Sequence, residues 1–180
     1  MDVAKAHLTE LVSITRDYNI RQGKLSEIKL GYKPLDKEER GVTSYIPSQN
    51  KKIVSLTNIV DNRDTVNAIE NSRCDKNRLQ FSLASHEGGH LLLSYNAPLN
   101  KEMSMLRHTI SQIWEEYKRE FESFVSKGDM ESASRILIGK YGHNIPSEFM
   151  AECFQEYGNS SNPSKYAKLI GELLDSYFKK

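Results

Sequence analysis

Two histidines and a glutamate inside the apolar run SLASHEGGHLLL carry the clearest chemistry in the chain. His86 and His90 are four residues apart, so on a helix their imidazoles share one face, one turn from each other. That spacing suits two corners of a single zinc ion, whose bonds to imidazole nitrogen run about 2.0–2.1 Å in a roughly tetrahedral array. Glu87 then stands beside the metal, where a carboxylate takes a proton from water and hands it to a leaving amine, the acid/base work of peptide-bond hydrolysis. Burying these three polar side chains in an apolar helix without partners is costly, and a metal site supplies the partners.

A catalytic zinc needs a third protein ligand and an open position. The downstream run IPSEFMAECFQEYG offers Glu148 and Glu152, again four apart. One of the two can ligate while the other, a turn away, accepts the free N–H of a ligand histidine. Glu156 continues the spacing and is expected toward solvent. An ordinary amphipathic helix with exposed acids is the simpler account of the pair, and Tyr141, read from its neighbours alone, is a core or surface tyrosine.

The elements that must position these groups follow from periodicity. Residues 3 to 20 carry apolar side chains at loosely helical spacing. The runs TSYI and KKIVSLTNIV, divided by Pro47 and Ser48-Gln49-Asn50, predict two short strands joined by a turn. A helix from about Arg78 to Ser94 has Leu79, Leu83, His86, His90 and Leu93 on one stripe and apolar residues on its other faces, so it is buried nearly all round. Its adjacent glycines, Gly88 and Gly89, each cost up to about 1 kcal/mol in a helix interior; they predict a loosened helix or something packed very close. Next comes an amphipathic helix from Met103 to Phe124, with Trp114 on its apolar stripe as core or as the lining of a specificity pocket. Asp129 caps a short helix through Ile138, Pro146 and Gly158 frame another, and Asn162-Pro163 start the last. The segment from Arg63 to Asn77 is left as either a short helix or a loop. The strand-like Lys51–Asn58 is the expected sheet edge beside the metal helix, with Ile53, Val54 and Ser55 contacting an extended substrate. His143 either reaches the cleft to bind substrate or is simply solvated; His7 and His108 are read as solvated.

With HEGGH, about fifty residues of amphipathic helix, and then KYGHNIPSEFMAECFQEY, the chain resembles the lethal-factor-like gluzincin zinc peptidases, which include secreted Pro-Pro endopeptidases. It looks most like the metallopeptidase-like domains of phage minor head proteins. In that family a tyrosine precedes, by seven residues, an acidic ligand that opens an EFFAEAF-type helix, and Tyr141 lies seven residues before Glu148. The resemblance therefore implies Glu148 as the metal ligand, Tyr141 as the hydroxyl that stabilises the oxyanion, and Glu152 as the supporting acid. It covers about residues 78 to 178, and no room is left before it for a portal-binding region, so a free-standing member or an excised domain is expected.

The expected whole is one α+β domain over 1–180: an N-terminal helix plus small sheet (1–77) and a helix-rich, zincin-like metal-site half (78–180). The chain has 180 residues, 38% apolar and 27% charged, enough to bury a core without staples. Its 25 basic and 24 acidic side chains sum to +1, which removes the basic field that nucleic acid or an anionic membrane would require. The charged N-terminus and the absence of any long apolar run predict neither signal peptide nor membrane span, hence a cytoplasmic or virion-associated protein. Cys74 and Cys153 are read as reduced thiols. The expected function is a zinc endopeptidase acting on a peptide or protein substrate. Its rivals are an injected or secreted toxin peptidase acting on a host protein, and a catalytically silent, zinc-containing, phage-associated assembly module.

Overall fold

A computed structural model describes residues 3–31, 41–57, 74–97, 99–139 and 142–180. Among the described residues the chain is α+β, with six helices and a three-stranded sheet. Helix α1 (Val3–Asp17) is followed by strand β1 (Lys24–Leu30), then β2 (Gly41–Ile46), a 3-10 turn at Pro47–Gln49 and β3 (Lys51–Leu56). The described elements after β3 are helices: α2 (Leu79–Leu92), α3 (Lys101–Ser126), α4 (Met130–Ile136), α5 (Pro146–Asn159) and α6 (Lys165–Phe178).

The β2–β3 hairpin forms where the sequence predicts it. Pro47 opens the turn and Asn50, at φ 49°, closes it in the left-handed region that asparagine tolerates. The sheet order is β1-β3-β2, with β1 parallel and β2 antiparallel to β3. Two expectations are thereby corrected. β3 is central, flanked on both sides, so Ile53, Val54 and Ser55 offer no free edge to a substrate; Val54 is fully buried and Ser55 nearly so. The third strand, β1, was not legible because a bulge between Leu25 and Glu27 puts its half-buried residues, Leu25 and Ile28, three apart instead of two. The segment 63–73 lies outside the described residues.

Helix starts follow their caps. Asn100 accepts from Met103 N at 2.8 Å and Asp129 from Ser132 N at 3.0 Å. The last helix starts at Lys165, after the expected Asn162-Pro163, because Ser164 takes the cap position over Ala167 N. Glu156 is buried, contrary to the solvent-facing expectation: its carboxylate accepts from Ser164 N at 2.6 Å and from Ser164 Oγ at 3.1 Å, fastening α5 to the start of α6.

Two apolar clusters meet on α2. Leu11, Val54, Leu56, Ala84 and Leu91 join α1, β3 and α2. The larger one packs α2 and α3 with α5 and α6 around Met103, Tyr117, Phe149, Phe154 and Tyr166. Helix α2 is therefore covered on nearly every side, as its composition requires. The paired glycines mark close approach: a Cβ on Gly89 would lie 3.0 Å from Ala151 Cα of α5, and one on Gly88 would strike Cδ1 of Ile14 from α1. His7 is also interior, on the inner face of α1, which corrects the solvated reading; burial pushes its pKa below the usual histidine value. Cys74 and Cys153 are buried free thiols.

Candidate metal centre

On α2, Leu79, Leu83, His86 and His90 form a stripe that is only half-buried, while Phe81, Ala84, Ser85, Glu87, Leu91 and Leu92 are interior. The less buried line of the helix is thus the one that carries its two histidines. Their rings meet edge to face with centroids 5.0 Å apart. Opposite them, Glu148 occupies the first turn of α5, where Pro146 starts the helix and the positive end of its dipole favours a carboxylate.

Glu148 Oε2 lies 3.1 Å from His86 Nε2, and its Oε1 lies 3.4 Å from His90 Nε2. One donor atom from each of the three residues falls within 4.8 Å of the others; among the described residues this is the one group of three His, Cys, Asp or Glu so arranged. Burial disfavours both charged forms, yet the mutual hydrogen bonds and charges outweigh it. His86 is driven up and Glu148 is held well below the usual carboxylate range. Two imidazoles and one carboxylate converging from two rigid helices, with no fourth protein ligand among the described residues, fit an open divalent metal site.

The geometry around this trio is fastened from several sides. Ser85 Oγ donates to Glu10 Oε1 at 2.7 Å and accepts from Asn159 Nδ2 at 2.8 Å, so α1, α2 and α5 share one polar knot directly behind His86. At the far end of α2, the fully buried Lys52 donates from Nζ to Leu91 O at 2.5 Å, and Arg107 donates to the carbonyls of Ser94 and Ala97. These cations sit where the negative end of the helix dipole favours them.

Of the residues expected at the site, His86, His90 and Glu148 come together and Glu87 is buried beside them. Glu152 is not one of the trio. Its carboxylate packs on the bare Cα of Gly139 and approaches within 3.3 Å the position a Cβ on Gly142 would take. Tyr141 lies outside the described residues. The chain on either side of it is clipped to α3: Tyr117 Oη donates to Ile138 O at 3.3 Å, and Trp114 Nε1 to Gly142 O at 3.1 Å. Trp114 is thus a clamp on this loop as well as part of the apolar stripe. His143 is neither solvated nor in the trio; it is half-buried against the rings of Tyr117 and Phe121, at 5.9 and 5.4 Å.

Sequence reasoning missed the residues that touch Glu87. Thr43 of β2 donates from Oγ1 to Glu87 Oε2 at 2.7 Å, and Gly41 brings bare backbone against the same carboxylate. A threonine and a glycine in a short strand have no pattern that points to a glutamate more than forty positions away.

No family model, curated protein or solved structure matches this chain. No helix among the described residues is long and apolar enough to cross a membrane.

Proposed function

We propose that this chain is a zinc-dependent endopeptidase of the gluzincin kind, built on a zincin-like arrangement. The observation that carries the reading is the convergence of His86, His90 and Glu148 within 4.8 Å, with a buried glutamate, Glu87, directly beside the first histidine. A structural metal site has no use for Glu87, and structural zinc is usually closed by four protein ligands.

Zinc bound by the trio would supply Lewis acidity, polarising a carbonyl and bringing the pKa of water toward about 7. The chain's own residues do the rest. Glu87 takes a proton from the attacking water and returns it to the leaving nitrogen, while α5 holds Glu148 against the two imidazoles and keeps their spacing fixed. Tyr141, on the resemblance to the gluzincin group, would donate its hydroxyl to the developing oxyanion. An extended peptide would lie along β2, the edge strand that touches Glu87.

The test is an unbiased peptide library incubated with zinc-loaded protein, with Glu87→Gln, and with protein stripped by chelator, new termini being identified by mass spectrometry. We expect cleavage by the zinc-loaded wild type alone, with Glu87→Gln keeping its zinc and losing about 10²–10⁴ in rate. Undiminished cleavage by Glu87→Gln removes the base assignment. Silence of the zinc-loaded wild type removes the peptidase and leaves a zinc-holding assembly module.

A further inference from the structure

Glu87 is 3% exposed, and its carboxylate points into the sheet side of α2, where β2 receives it. Oε2 accepts the Thr43 hydroxyl at 2.7 Å, and the same hydroxyl lies 3.1 Å from the Glu87 carbonyl oxygen, so one side chain grips both ends of this residue. Gly41 is two positions before Thr43 and on the same face of the strand. A Cβ there would lie 2.7 Å from Glu87 Oε1, 3.0 Å from Cγ and 3.1 Å from Cδ, so the carboxylate lies flat on bare backbone. Glycine weakens a strand interior. Gly41 lies in extended backbone that any residue adopts, so turn geometry does not account for it. Close approach of the Glu87 carboxylate does.

Resting on the peptidase reading, we infer that Thr43 and Gly41 form a seat on the edge strand that positions the Glu87 carboxylate as general base, with Oε2 tethered and Oε1 left to carry the proton. The water O–H bond breaks as an O–H bond forms at Oε1; the same proton then passes to the leaving nitrogen as the C–N bond breaks, leaving the carboxylate as it began. A tethered carboxylate presents one oxygen in one orientation, whereas an untethered one samples several rotamers, and misplacement by an ångström is costly to proton transfer. The Thr43 hydroxyl is taken up by Glu87 and acts through it. Its hydroxyl also joins sheet to helix, so the test must separate positioning from packing.

Three variants do so. Thr43→Val removes the hydroxyl at nearly constant shape, Thr43→Ser restores it, and Gly41→Ala pushes on Oε1 without touching the hydroxyl. Each is measured for zinc content, for thermal stability, for kcat and KM on a peptide the wild type cleaves, and by crystallography of the zinc-loaded form. We expect Thr43→Val to hold one zinc per chain and lose about 10–100-fold in kcat with KM within about threefold, and Thr43→Ser to recover most of that loss. The crystal structures should show the Glu87 carboxylate displaced in Thr43→Val and Gly41→Ala and in place in Thr43→Ser. Wild-type kcat in zinc-loaded Thr43→Val overturns the proposal, as does a Glu87 carboxylate unmoved in both Thr43→Val and Gly41→Ala. Should the wild type cleave nothing, the peptidase reading and the base role assigned to the seat fail together. Displacement of Glu87 in the crystal structures then still separates a failed reaction from a failed seat.

Discussion

Lys52 stands out among the side chains around the site because its amine has no access to water. Burial, aided by the charge of Arg107, brings its pKa from 10.5 down to about 7, and its ammonium has the Leu91 carbonyl to donate to. The sign of the pH effect follows. Between about pH 7 and 10.5 the unfolded chain holds a proton on this amine that the folded chain has lost, so Lys52 adds stability as pH rises through that window and adds none below it. Lys52→Met removes the buried charge and leaves one carbonyl short of a partner. Thermal denaturation should show the variant more stable than wild type by about 1–3 kcal/mol at pH 6, with the gain shrinking toward pH 10; a gain that stays level from pH 6 to pH 10 would show that Lys52 is charged in the fold throughout. At the metal trio the residue-scale expectation concerns affinity. Glu148→Ala should lower zinc content measured by metal analysis, and Glu152→Ala should leave it near wild type. The reverse result would make Glu152 the ligand.

Among the elements, the crossing of α2 and α5 decides the site, since one carries both histidines and the other the carboxylate. Gly89 sets how closely they cross. Its missing Cβ lets Ala151 Cα approach, and backbone cannot yield as a side chain can. Gly88 faces the end of the Ile14 side chain, which can rotate away. Alanine favours the helix by up to about 1 kcal/mol at either position, but overpacking against backbone costs about 1–3 kcal/mol. Gly89→Ala should therefore be the more destabilising of the two and should weaken zinc binding as α5 is pushed off α2. Gly88→Ala should retain the metal. Equal zinc affinities in the two variants, measured by competition with a chromophoric chelator, would mean that the crossing does not set the ligand spacing.

At the scale of the whole molecule, the first and last helices close on each other. Asn19 N donates to Phe178 O at 2.6 Å, Lys180 N to Asp17 O at 2.9 Å, and Tyr18 Oη to Asp175 Oδ1 at 2.6 Å. The metal trio lies between α2 and α5, the two helices that α1, the sheet and α6 pack around, so an ion there cross-links the middle of the fold. A ligand bound only by the folded state stabilises it by about 2.7 kcal/mol at a hundred times its dissociation constant, which for a chain of this size is about 5–10 °C in Tm. Chelation should lower the Tm of the zinc-loaded protein by that much. In His86→Ala the chelator should do almost nothing, and a Tm in wild type that ignores both zinc and chelator would remove the site.

What the sequence determined by itself is what short-range periodicity controls. His86 and His90 share a face because four residues nearly complete a turn, α2 is buried nearly all round because apolar side chains cover its other faces, and the β2–β3 hairpin is set by Pro47 and Asn50. The cap at Asp129 was legible for the same reason, being a contact over three residues. Glu148 was open against Glu152 on spacing alone, and only the resemblance favoured it. The choice belonged to the crossing of α2 and α5, which brings together residues 62 positions apart. The central place of β3, the interior place of His7 and Glu156, and the seat of Glu87 on Thr43 and Gly41 were likewise decided by tertiary packing. Local pattern says which side chains lie on one face of an element, but which faces meet depends on how the whole chain buries its apolar surface, and no local window contains that.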